Sequence, residues 1–154
     1  MKTQTFIILS LLFVLSCKCN KNNQKNAKME IVESVLISKG NLYGSGSEGI
    51  AKQNTVIKNL SDWENLITQM NSVNNVSERF TETKIDFSKY TVIAVFNDVK
   101  GSGGNTIELD ISKTLEKILV TVKYTSPKGN ATSVMTQPYY IVKISKQNLP
   151  IVFQ

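Results

Sequence analysis

The sequence predicts an α+β fold: a mostly antiparallel β-sheet with one amphipathic helix packed on it. Three observations predict it. Beyond residue 29 the apolar residues fall in short runs of period two, bounded by clusters of Gly, Pro, Asn and Ser. Residues 61–70 carry the helical spacing instead. Residues 91–97, TVIAVFN, are apolar on both faces, as an inner strand covered from two sides has to be. At 154 residues the chain suits one core of ordinary size.

The elements follow in order. EIVESVLI (30–37) reads as a first strand, and GNLYGSGSEG (40–49) as an irregular glycine- and serine-rich loop. IAKQNTVI (50–57) reads as a second strand, expected to pair back on the first. Ser61-Asp62-Trp63-Glu64 has the spacing of a capping box, with Ser61 as the cap and Glu64 reaching back to it. Behind it, Trp63, Leu66, Ile67 and Met70 make one apolar stripe, expected to pack on the sheet rather than to face a partner. The polar residues 71–84 read as a long loop. After the inner strand, NTIELDI (105–111) turns Ile107, Leu109 and Ile111 inward and Glu108 and Asp110 outward. KILVTVKY (117–124) alternates likewise, and SPKGN (126–130) is a turn cluster. QPYYIVKI (137–144) starts a strand at Pro138, where a missing amide is tolerated. NLPIVFQ (148–154) closes the sheet as a short edge strand.

The N-terminal residues speak of address. Lys2 followed by the apolar run FIILSLLFVL (6–15) has the form of a secretory signal, too short to span a bilayer as a helix. Val14-Leu15-Ser16-Cys17 resembles the bacterial lipobox, in which cleavage before the cysteine frees a thiol for acylation. We therefore expect a signal peptide over 1–16, a lipid on Cys17, a flexible Asn- and Lys-rich tether over 17–28, and a single domain over 29–154. An ordinary cleaved signal peptide is the alternative. The expected location is the outer membrane of a bacterium, anchored by lipid and facing the periplasm. A Cys17–Cys19 disulfide would close a strained ring. A metal centre would want more ligands than two cysteines in a chain without histidine.

Charge and composition narrow the chemistry. The net charge of +6 resides mostly in the leader and tether; beyond Met29 there are thirteen basic and twelve acidic side chains, a net of +1. A nucleic-acid partner is therefore not expected, since that would need basic residues clustered on the folded part. Without histidine there is no Ser–His or Cys–His nucleophile, and no usual zinc or iron site. No enzyme activity, cofactor or metal is expected. Gly101-Ser102-Gly103-Gly104 invites a phosphate-cradle reading, but it joins strand to strand with no Lys-Ser/Thr after it, so it reads as a tight connection. Glu108 and Asp110 share a strand face, and they would be the pair on which a cryptic hydrolase relied. On an outer sheet face such carboxylates more often meet only water. Tyr139 and Tyr140 point to opposite faces, and an exposed Tyr beside Lys143 would seed a protein contact. Tyr139, Tyr140 and Lys143 are therefore the candidate partner-contact residues.

Taken in succession, Trp63, the strand from Tyr90 to Phe96, Gly103-Gly104, residues 107–111, residues 118–124, Pro127 and Thr136-Gln137-Pro138-Tyr139 resemble the C-terminal domain of the PrcB-like, protease-complex-subunit family. The likeness covers roughly residues 60–154, and Asn105 departs from it where an aromatic would follow the glycines. The family is named for a lipoprotein that associates with and stabilises a surface protease. The resemblance implies no catalytic residues. It implies a non-enzymatic envelope lipoprotein that binds and supports another exported protein, such as a protease. The alternative function is a small-ligand or carbohydrate-binding accessory protein, with Trp63 or a tyrosine exposed in a concave patch.

Overall fold

The period-two runs become eight strands in a computed structural model, which describes residues 29–154. They are β1 (Glu30–Ile31), β2 (Ser34–Leu42), β3 (Gln53–Ile57), β4 (Tyr90–Phe96), β5 (Thr106–Lys113), β6 (Ile118–Thr125), β7 (Gln137–Ser145) and β8 (Ile151–Phe153). One α-helix, α1 (Leu60–Met70), follows β3, and a 3₁₀ turn over Val76–Arg79 interrupts the long loop after it. The signal-peptide, lipobox and tether readings, Cys17 among them, lie outside the described residues.

The α+β class holds, with the strands divided between two four-stranded sheets, ordered β1-β5-β6-β8 and β2-β7-β4-β3. Every pairing is antiparallel except that of β6 with the edge strand β8, which is parallel. The reason for two sheets rather than one lies in β4. Residues 91–96 are buried without exception, so both faces of this strand need cover. Val92, Ala94 and Phe96 join Trp63, Leu66 and Met70 of α1 in one hydrophobic cluster. Ile93 and Val95 join Ile107, Ile111, Ile118 and Val120 of the other sheet in a second cluster. The layers are thus helix, sheet, sheet, with β4 and β7 in the middle contributing to both clusters.

Two local expectations are corrected. The helix cap is Asn59, not Ser61: the Asp62 amide donates to Asn59 Oδ1 at 2.9 Å, and Asn59 Nδ2 donates to Asp62 Oδ2 at 2.8 Å. Asn59 sits three residues before Asp62 as Ser61 sits three before Glu64, and the earlier pair closes the reciprocal contact. β3 does not pair back on β2 either. β3 pairs with β4 and β2 with β7, so the two lie at opposite edges of their sheet. The doubly apolar strands β4 and β7 take the centre because only there are both their faces removed from water. The loop between β2 and β3 crosses the end of the sheet, where Gln137 Nε2 donates to the Ile50 carbonyl at 2.7 Å and the Asn97 carbonyl at 3.0 Å.

Candidate functional site

The three candidate contact residues do not share a surface. Tyr139 is 3% exposed, its ring 6.2 Å from that of Phe96 and its hydroxyl 3.0 Å from Ser38 Oγ. Burial raises the Tyr139 phenol above its ordinary range, against the lowering effect of the Ser38 hydrogen bond. Tyr140, on the opposite face of β7, is half-buried between the sheets, with Lys39 Nζ 5.8 Å from its ring centre. Lys143 shares the helix-side face with Tyr139, and its side chain is 14% exposed. Its ammonium lies 2.6 Å from Glu82 Oε1 and 4.4 Å from the Tyr90 ring centre. An ammonium so enclosed is committed to holding the 71–84 segment on the sheet. Alternation correctly separates the two tyrosines, but it also separates Tyr140 from Lys143.

Other candidates resolve in the same way. Trp63 is fully buried, donating its indole N–H to the Thr83 carbonyl at 2.7 Å and tilting against Phe80 at 6.0 Å. It is core, so it offers no platform to a sugar. Glu108 and Asp110 stand on the outer face of β5, both exposed. Asp110 bonds Lys123 of β6, and the hydrogen bond and charge of Asp110, helped by Glu108, raise the Lys123 ammonium above its usual value. The pair is thus engaged in a surface charge ladder, with no third acid, histidine or cysteine gathered beside it among the described residues. The loop over residues 101–104 crosses from one sheet to the other. Its Gly103 amide donates to the Thr132 carbonyl at 3.0 Å, and Asn105 Nδ2 donates to the Ser102 carbonyl at 2.8 Å. Gly104 has φ +79°, and a Cβ there would stand 3.3 Å from Pro127. The glycines therefore close a loop–loop contact, and the Asn105 amide secures it.

The open strand edge lies along β2, at the margin of its sheet. A register shift between Leu36 and Ser38 turns the Ile37 carbonyl outward, where the Thr81 amide donates to it at 3.0 Å. The Thr81 hydroxyl also donates to the Leu36 carbonyl at 3.0 Å. Beyond Thr81 the edge is bare: among the described residues, no hydrogen bond reaches the outer side of residues 38–43. Two adjoining hollows of about 300 and 260 Å³ follow this bare edge, sharing Asn41, Tyr43 and Arg79. Tyr43 is 55% exposed. Arg79, the only arginine in the chain, is exposed and has no carboxylate within ion-pair distance among the described residues. Asn41 Oδ1 is buried and accepts no hydrogen bond. Sequence reasoning passed over all three, placing Tyr43 in a glycine-rich loop and Arg79 in a polar one. The available signal was compositional: a single arginine beside seventeen lysines.

A family model described as PrcB C-terminal matches residues 91–145. The matched stretch runs from β4 through β7, the two central strands of one sheet and the hairpin at the heart of the other. It leaves α1 and Trp63 outside. No curated protein and no solved structure matches the chain significantly.

Proposed function

We propose, from the match of residues 91–145 to the PrcB C-terminal family model, that the protein is a non-enzymatic envelope lipoprotein whose folded part binds and supports another exported protein. A protease complex is the partner class that the family's role points to. The lipid on Cys17 would moor the chain to the periplasmic face of the outer membrane, with the residues up to 28 as the tether. The observation that carries the binding role is the bare β2 edge. A nine-residue strand whose outer side is half unpaired offers main-chain donors and acceptors to an incoming strand. By contrast, the chemistry-bearing side chains are spent on structure: Lys143 on Glu82, Asp110 on Lys123, Asn105 on its own loop.

Two experiments test the reading. Cross-linking in intact cells followed by mass spectrometry should recover one reproducible exported partner; repeated recovery of the lipoprotein alone would sink the binding role. Treating cells with an inhibitor of the lipoprotein signal peptidase should accumulate a larger precursor, and an unchanged size would remove the anchor.

A further inference from the structure

We infer that the bare half of the β2 edge takes the free C-terminus of another exported polypeptide, laid antiparallel to β2 with its terminal carboxylate on Arg79. This rests on the partner-binding reading above and assigns that site its ligand class.

The edge admits an added strand in one direction only. Thr81, seated on the Ile37 carbonyl, blocks any added strand from running past Ile37 towards Ser34. The groove is therefore closed at the Ile37 end and open at the Tyr43 end. A chain entering at Tyr43 runs opposite to β2, in the pairing that makes the straighter hydrogen bonds. On reaching Thr81 it has to stop. A polypeptide that stops there presents a carboxylate, and Arg79 lies two residues before the stopper and lines both hollows.

The closed end also suits a carboxylate chemically. A guanidinium offers a planar fork of donors that a carboxylate fills with two bonds, and among the described residues no acidic side chain already fills that of Arg79. The outward main-chain carbonyls and amides of residues 38–43 take no partner among the described residues, and each second residue of an incoming strand turns its N–H and C=O towards that edge. Gly40 keeps the strand narrow here, with no side chain standing over the Tyr139 hydroxyl. An internal acidic segment is the weaker fit, since it would have to bend away at Thr81 and leave its main-chain bonds unmade.

The test uses the full-length protein in detergent with two biotinylated probes: a randomised octapeptide pool ending in a free carboxylate, and the same pool amidated. A third pool, amidated but with Asp at its last position, stands in for an internal acidic segment. A charge-assisted bidentate contact predicts retention of the free-carboxylate pool about tenfold above the amidated one. Arg79→Gln should abolish the preference, with Trp63 emission unchanged. Arg79 is exposed, so its replacement leaves the core intact. Equal retention of free and amidated pools, or a preference that survives Arg79→Gln, overturns the inference; so does retention of the Asp pool as strong as that of the free-carboxylate pool. The two readings separate in cells. A cross-linked partner captured equally by wild type and Arg79→Gln keeps the binding role and discards this site, whereas no partner in wild type discards the role itself.

Discussion

Tyr139 places an aromatic ring in the helix-side core and ends it in a hydroxyl whose partner, Ser38, is 101 residues away in the chain. Removing the hydroxyl with Tyr139→Phe leaves Ser38 without that partner, at a cost of about 1 kcal/mol. The pH dependence has a definite sign. The phenol is raised above its ordinary value of 10.0 in the folded chain, so the unfolded chain ionises first. The stability this group confers is complete below the unfolded value and is lost as pH rises through the folded one. Melting temperatures of wild type and Tyr139→Phe should therefore converge, as their difference is followed upward from about pH 9. A constant difference would show that the phenol does not titrate with unfolding. Which of Tyr139 and Tyr140 is core was not legible in QPYYIVKI. Alternation puts them on opposite faces, but here both faces are covered, and what covers them comes from β2, α1 and the second sheet. The same distance hid Arg79, which matters only because β2 lies beside it.

The helix is the element whose sequence signal and structure differ by one cap. Its apolar stripe was legible, since Trp63, Leu66 and Met70 are buried and Ile67 packs against them, as spacing alone requires. Its start was not, because Asn59-x-x-Asp62 and Ser61-x-x-Glu64 offer the same pattern two residues apart. Asn59→Ala should cost about 1 kcal/mol of stability, and Ser61→Ala should change it by no more than a few tenths, in denaturant melts. The reverse order would return the cap to Ser61. Strand pairing was harder still. Runs 30–37 and 50–57 look like a hairpin because they are neighbours in sequence. The pairing that forms is decided by which strands can lose water from both faces, and that is a property of β4 and β7.

At the scale of the whole molecule, the expectation of one sheet gave way to two because a strand apolar on both faces demands two covers, while the described residues offer only one helix. The sharing of β4 and β7 makes the two clusters one cooperative unit. Ile111→Ala, in the cluster remote from the helix, should destabilise by about 2–5 kcal/mol. It should also shift the Trp63 fluorescence transition in step with far-UV circular dichroism. Two transitions, with Trp63 unmoved, would divide the molecule instead. The central place of β7 carries one more consequence. Residues 34–42 have their ladder partner in residues 137–145, so the first long strand waits for nearly the last. A polypeptide emerging in order from the ribosome holds β2 without its ladder partner until nearly the end of synthesis. Were the chain exported as proposed above, that delay would suit it, since a protein threading a translocation channel has to arrive there still unfolded.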